Sequence, residues 1–301
     1  MAERRRPPFY TNSNLMLPIL LTLTLAAVGV PAVLWFGIAG LAVALSLSSG
    51  AVVFLVLRSQ RGVARRLAWD ARANRELQRR HFQQTEALLS VFAVLQPRAP
   101  LPQTREKFAA SPDFLRVVLT EVLTTRPSLV VEASCGLSTL IIAGALKQLG
   151  AGRVVSMEHD VFYAEQTRSL LRVHGLDGFA TVVHAPLVPF TLEVAAFDRH
   201  DWQWYDVSRL RLEQSIDLLI IDGPPSTLQP FARFPALPIL WNSLRAGARI
   251  ILDDGDRPDE RAAVAAWCGQ FPELSSDFLD LEKGAFVLSR TSPATNHLNR
   301  G

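Results

Sequence analysis

From Leu15 to Leu57 the chain runs 43 residues without an Asp, Glu, Lys or Arg. As helix, at about 1.5 Å per residue, this is about 65 Å, twice a hydrocarbon core of about 30 Å, so the pattern predicts two membrane passes rather than one. The turn is expected within Gly29–Gly40, where Gly29, Pro31, Gly37 and Gly40 interrupt the run and Trp35 and Phe36 suit an interface. A break near Leu34–Gly37 leaves about 19 or 20 residues per span. Beyond Leu57 the pattern turns polar and basic. Over residues 58–95, Val63, Leu67, Leu77, Leu88, Leu89 and Phe92 recur at loose helical spacing, while Asp70, Asn74, His81 and Gln84 stand where a sustained heptad needs apolar side chains. The expectation is a partly solvated amphipathic stalk helix. The proline-rich stretch Gln96–Gln103 then reads as a linker.

The second half alternates short apolar runs with helical ones. Ser111 and Pro112 cap and start a helix to about Thr125. Strands are expected at Ser128–Ala133, Arg153–Glu158, Ala180–Ala185, Asp217–Asp222 and Arg249–Asp254, with helices at Ser138–Leu149, Val161–His174, Phe231–Leu244 and Pro258–Phe271. Phe278–Arg290 closes the domain as two strands around Lys283–Gly284. Such alternation predicts an α/β, Rossmann-like, doubly wound and mainly parallel seven-stranded sheet, preceded by two transmembrane helices and a stalk helix. In domains: a basic N-terminus over 1–14, the hairpin over 15–57, stalk and linker over 58–104, the α/β domain over 105–290 and a loose tail over 291–301.

Charge sharpens this picture. Residues 1–98 carry 12 Lys and Arg against 4 Asp and Glu, whereas residues 99–301 carry 19 against 24. A nucleic-acid binder needs its basic face on the folded domain, and here that domain is acidic. Arg4, Arg5 and Arg6 precede the apolar run and Arg58, Arg61, Arg65 and Arg66 follow it, so the positive-inside rule puts both ends in the cytoplasm of a two-pass inner-membrane protein. The stalk arginines would lie against anionic headgroups of the bilayer, and the stalk or hairpin is where a homo-oligomer would form. Two cysteines, Cys135 and Cys268, make neither a disulfide framework nor a zinc ligand set.

The carboxyl ends of parallel strands are where ligands bind, and acidic residues close several of these runs. The first turn reads VVEASCGLSTL, placing Ser134, Gly136 and Thr139 where a dinucleotide fold would have three glycines, and no phosphate loop of the G-x-x-x-x-G-K type occurs. Taken in order, VVEASCGLST, VVSMEHD, VVHAPL, IIDGPP and ILDDGDR resemble the class I S-adenosylmethionine-dependent methyltransferases over about residues 105–290. The resemblance implies that Glu132 and Gly136 line the methionine part of the cofactor, that Glu158 accepts hydrogen bonds from the ribose hydroxyls, and that His184 with Ala185 borders the adenine. Ser134 stands where the family has a glycine and narrows that loop, and His184 replaces the usual Asp or Asn. Read from the residues alone, Glu132 could instead serve the amides of a helix start and Glu158 a solvated strand end. Cys135 has no partner set for a nucleophile and reads as a small loop residue.

Asp222 closes the fourth strand and Asp253–Asp254 the fifth, a set of hard oxygen donors that suits Mg²⁺. The arrangement is similar to metal-dependent small-molecule O-methyltransferases, in which the cation orients an acceptor hydroxyl and lowers its pKa. The alternative is that Asp222 is merely the common strand-four acid and that Asp254 or Asp256 caps the helix near Pro258. Without a metal, His200 or Asp222 would take the proton. Between Phe190 and Ser215, Arg199, His200, Trp202, Trp204 and Tyr205 offer either an aromatic wall for a sugar or lipid headgroup or the core packing of an inserted helix. Arg233 would meet an anionic acceptor group or a surface carboxylate. The expected function is a membrane-anchored S-adenosylmethionine-dependent methyltransferase acting on an oxygen of a small-molecule, sugar or lipid-linked acceptor. An inactive scaffold or sensor, or aminopropyl transfer on the same fold, are the alternatives.

Overall fold

A computed structural model of the chain describes residues 13–102, 110–194 and 197–291; the basic cluster Arg4–Arg6, part of the linker and the tail after Thr291 lie outside them. The chain divides into two compact units, Met1–Leu77 and Gln78–Gly301.

In the first unit the expected hairpin is not separated into two spans by a loop. The helical run α1 (Ser13–Leu95) is two helices that meet across a kink at Gly37 (φ 56°, ψ −141°), inside the segment where the turn was expected. The stalk is the continuation of the same helical run rather than an element of its own. Glycine carries the kink because that backbone conformation is one L side chains rarely adopt, and helical backbone on either side satisfies the amides that an apolar segment cannot give to water. The part from Leu34 onward is long and apolar enough to cross a membrane, with mean hydropathy 2.3 in its most apolar window. Its large side chains, Leu34, Trp35, Phe36 and Ile38 among them, are exposed.

In the second unit, α2 (Pro112–Thr125), α3 (Leu137–Leu149), α4 (Val161–His174), the short α5 (Ala236–Leu240) and α6 (Pro258–Gln270) surround a sheet. The strands are β1 (Leu129–Ala133), β2 (Arg153–Glu158), β3 (Ala180–His184), β6 (Ile216–Ile221), β7 (Leu244–Asp253), β8 (Leu274–Leu279) and β9 (Ala285–Arg290), in the order β3-β2-β1-β6-β7-β9-β8. The first five run parallel and β9 and β8 antiparallel, as the sequence pattern predicts. Every residue of β1 is buried, because helices cover both faces and a central parallel strand has no solvent side. Chain order reverses between β1 and β6, which opens a crevice outside the carboxyl ends of these strands.

Two stretches differ from expectation. The aromatic segment is a separate two-stranded antiparallel sheet, β4 (Leu187–Thr191) against β5 (Asp201–Tyr205), not an inserted helix. Trp202 and Trp204, two residues apart, share one face of β5 and are buried in the core beside Phe234 and Ile221. The helix expected over Phe231–Leu244 shrinks to α5 and a 3₁₀ turn at Trp241–Ser243, since Pro235 and Pro238 withdraw backbone donors there.

Candidate functional site

The loop after β1 is built on backbone that favours glycine. Ser134 has φ 102° and Gly136 φ 146°, and a side chain added at Gly136 would meet nothing within 4 Å, so that backbone faces open space. Ser134 donates its amide to the Met157 carbonyl (3.0 Å), tying the loop to β2. Glu132, fully buried below the loop, accepts from Thr139 Oγ1 and Ser156 Oγ, both at 2.6 Å on Oε2. Its Oε1 has no partner among the described residues, and burial raises its pKa. Thr139 Oγ1 in turn accepts from the Gly136 amide (3.1 Å), so the acid braces the first turn of α3 through the threonine.

Glu158 ends β2 and is almost fully buried. Its Oε1 accepts from the Asp160 amide and pairs with His159 Nδ1, each at 2.9 Å. The hydrogen bond from His159 raises that imidazole's pKa against the effect of burial. On the neighbouring strand His184 stands in register with Glu158, its Nε2 3.2 Å from the His159 carbonyl, and Ala185 follows, fully buried, with its amide on the Glu158 carbonyl (2.8 Å). Cys135 lies against Thr167 (3.1 Å), and burial pushes its thiol pKa up, which suits a neutral packing group rather than a thiolate.

Across the crevice, Asp222 follows β6 while Asp253 and Asp254 close β7, and one oxygen from each lies within 4.8 Å of the other two. A residue given an open role from sequence organises them: Arg233 is itself buried, and its Nη2 lies 2.6 Å from Asp254 Oδ2 and 3.2 Å from Asp222 Oδ1, while Nη1 donates to the Asp253 carbonyl (2.8 Å). Arg257 Nη1 reaches the same Asp254 oxygen, Oδ2 (2.9 Å). Both carboxylate oxygens of Asp253 are buried without a hydrogen-bond partner among the described residues. Burial pushes Asp222 up to about 6, with Arg233 pulling the other way, and raises Asp253 still further from its ordinary range. Lys283, in the β8–β9 turn, acts electrostatically on both. The turn is held by Gly255 N on the Gly284 carbonyl (2.8 Å) and Asp256 N on the Lys283 carbonyl (3.0 Å).

The donor set fits a hard divalent cation in kind. Ligand oxygens at about 2.0–2.1 Å from Mg²⁺ in octahedral array stand about 3 Å apart when adjacent and about 4.2 Å when opposite, so the three carboxylates would draw together around such an ion. The orphaned Asp253 oxygens are the feature such an ion would satisfy.

Tyr205, at the end of β5, was expected only as one member of an aromatic wall or of core packing. It is fully buried, its hydroxyl lies 2.4 Å from where a Cβ on Gly223 would stand, and it feels the charges of Glu158, Arg233 and Asp222 at once. Gly223 must therefore remain glycine. Tyr205 marks the point between the β2 acid and the cluster at β6 and β7. The signal was available as the strand-like alternation from Asp201 to Tyr205. His200 lies at the opposite end of that strand and is exposed, about 16 Å of extended chain from Tyr205.

A family model described as Methyltransferase domain matches residues 132–255, the segment from the β1 acid to the loop after β7. No curated protein matches the chain in sequence. Among solved structures it is similar to an O-methyltransferase from Bacillus cereus in complex with SAH, at 18% identity over 68% of this chain and 91% of that one, TM-score 0.45. It is similar also to the SAH-bound methyltransferase of Podospora anserina, at 14% identity over 68% and 88%, TM-score 0.47. A third is the O-methyltransferase of Streptomyces achromogenes involved in tomaymycin synthesis, in complex with SAM, at 14% identity over 69% and 89%, TM-score 0.44. The stretch that matches the methyltransferase-domain model runs through the loop after β1 and the carboxyl ends of the parallel strands of this Rossmann-like sheet, from the β1 acid to the acids that close β7.

Proposed function

We propose that this enzyme methylates an oxygen of a small-molecule, sugar or lipid-linked acceptor at the cytoplasmic face of a membrane, to which α1 anchors it. The observation that carries the chemistry is the meeting of a glycine-like loop and a strand-end acid on one side of Tyr205 with three clustered carboxylates on the other. The cofactor, S-adenosylmethionine, supplies a sulfonium-bound methyl group. In this reading Ser134 and Gly136 hold its methionine part over Glu132, Glu158 accepts from the ribose hydroxyls, and His184 with Ala185 flanks the adenine. Asp222, Asp253 and Asp254 would hold Mg²⁺, which supplies positive charge that lowers the pKa of an acceptor hydroxyl.

Arg233 favours a second version of the same reaction. Its guanidinium already bridges Asp222 and Asp254, and Asp222, with its pKa near 6, is suited to take the acceptor's proton itself. The acceptor oxygen then forms its bond to the methyl carbon as the bond from that carbon to sulfur breaks, and the proton stays on Asp222. Calorimetry with S-adenosylmethionine on the wild type and Glu158→Ala tests the cofactor side. A loss of about 1.5–3 kcal/mol is expected, and unchanged affinity removes Glu158 from the site. Labelled methyl transfer into membrane and cytosolic extracts, with and without chelator, tests the rest. Loss of turnover on chelation and in Asp253→Asn supports the cation, and survival of both leaves Asp222 as the base. Cofactor binding with no transfer into any fraction supports a sensor, and no cofactor binding supports an inert scaffold.

A further inference from the structure

The helix α3 has the cofactor loop at its start and a second concave feature at its end, about 16 Å away along the axis between Gly136 and Lys147. There a cavity of about 400 Å³ lies between α3, the end of α1 and the residues that follow α4. That volume is within the range of about 300–1,000 Å³ common for small-molecule sites. One part of the wall is aliphatic, from Leu95, Leu140 and Leu176. The other part is basic: Arg98, Lys147 and His174 line it, and among the described residues no carboxylate does.

The basic groups converge. Arg98 Nη1 and Lys147 Nζ lie 2.7 and 3.7 Å from the place where a Cβ on Gly175 would stand, so one small anion can touch both cations. Lys147 gives one proton to the Gly175 carbonyl (2.9 Å) and keeps two for a ligand. Neither cation is paired with a carboxylate among the described residues. His174 is 4% exposed, and its Nε2 has no partner among the described residues. A buried ring nitrogen without a partner, next to two converging cations and an aliphatic wall, is costly in an unliganded fold. None of these groups takes part in the methyl-transfer site.

We propose that this cavity binds an amphiphilic anion, its phosphate or carboxylate head held by Arg98, Lys147 and His174 and its alkyl part laid against Leu95, Leu140 and Leu176. Head and tail both contribute, so a complete amphiphile should bind better than either piece. The full-length chain in phosphatidylcholine nanodiscs is dialysed to equilibrium against octyl phosphate, with octanol and inorganic phosphate as tail-only and head-only probes. One saturable site is expected for octyl phosphate, above the uptake of empty nanodiscs and about tenfold or more tighter than either partial probe. Lys147→Gln and Arg98→Gln, each at a partly exposed position, should each weaken it by about tenfold while leaving the melting transition near that of the wild type. Repeating the titration with phosphatidic acid in the nanodisc separates the sources. Competition assigns the head to a bilayer lipid, and none assigns it to a soluble phosphate or carboxylate ester. The proposal is overturned if uptake matches that of empty nanodiscs, if inorganic phosphate binds as tightly as octyl phosphate, or if neither variant changes the affinity.

Discussion

Ser134 is where a single residue and its backbone disagree most. A serine at φ 102° occupies a region that L side chains rarely adopt, at a cost of about 1–3 kcal/mol that the surrounding contacts must offset. Ser134→Gly is therefore expected to raise the unfolding free energy by about 1 kcal/mol or more, read from the urea midpoint, and no gain would show that the loop is unstrained. The acid cluster makes a pH prediction. Asp222 binds its proton more tightly folded, near pH 6, than its ordinary value of 3.8 allows unfolded, so its contribution to stability falls as pH rises through that window. The urea midpoint should rise between pH 8 and pH 5, and Asp222→Asn should flatten that rise. A mutant with the same slope would exclude Asp222 as its source. The acids themselves were legible from their places at strand ends. Arg233, eleven residues beyond Asp222 in a proline-rich loop, was legible only as a cation without a known partner, because the loop that folds it between β6 and β7 has no periodicity.

At the scale of elements, the end of α1 is joined to the sheet domain by more than chain continuity. Gln84 donates to Asp113 Oδ2 (2.7 Å) and accepts from the Asp113 amide (3.1 Å), which binds it to the start of α2. Asp113 also accepts from the Glu282 amide of the β8–β9 turn (2.8 Å), and Ala87 and Val91 are fully buried. Gln84→Ala should cost about 1–3 kcal/mol of stability in the second unit, since the buried Asp113 carboxylate loses a donor and its amide an acceptor. Chemical denaturation followed by tryptophan fluorescence measures it, and a change below about 0.5 kcal/mol would make the contact incidental. The parallel strands were readable as short apolar runs because burial on both faces leaves them no polar alternation. The β4–β5 pair was harder: Asp201–Tyr205 does alternate, but its tryptophans fit a wall, a helix or a strand equally until a partner strand is known.

At the scale of the whole chain, two kinds of surface follow one another: an apolar helix whose large side chains are exposed, and a unit with its apolar residues inside. Full-length protein is expected to float with phosphatidylcholine vesicles in a density gradient, and a chain beginning at Gln78 to stay at the bottom while keeping its cofactor affinity. A shortened chain that still floats would move the anchor into the second unit. The fragment begins at Gln78 rather than at the proline-rich linker because a start near Pro100 would remove Gln84, Ala87 and Val91 from their packing.

Sequence by itself determined the strands of the seven-stranded sheet and the longer helices between them, the apolar N-terminal run and the acids at strand ends, because these depend on spacing along the chain and on which residue types can be buried. Only the tertiary structure decided what those residues meet. That Arg233 enters the acid cluster, that the Asp253 carboxylate has no hydrogen-bond partner among the described residues, that Tyr205 stands between the β2 acid and the acid cluster, and that Arg98, Lys147 and His174 converge at a cavity are consequences of strand order and loop closure. Residues far apart in sequence are brought within a few ångströms by the fold, and no period along the chain encodes that distance.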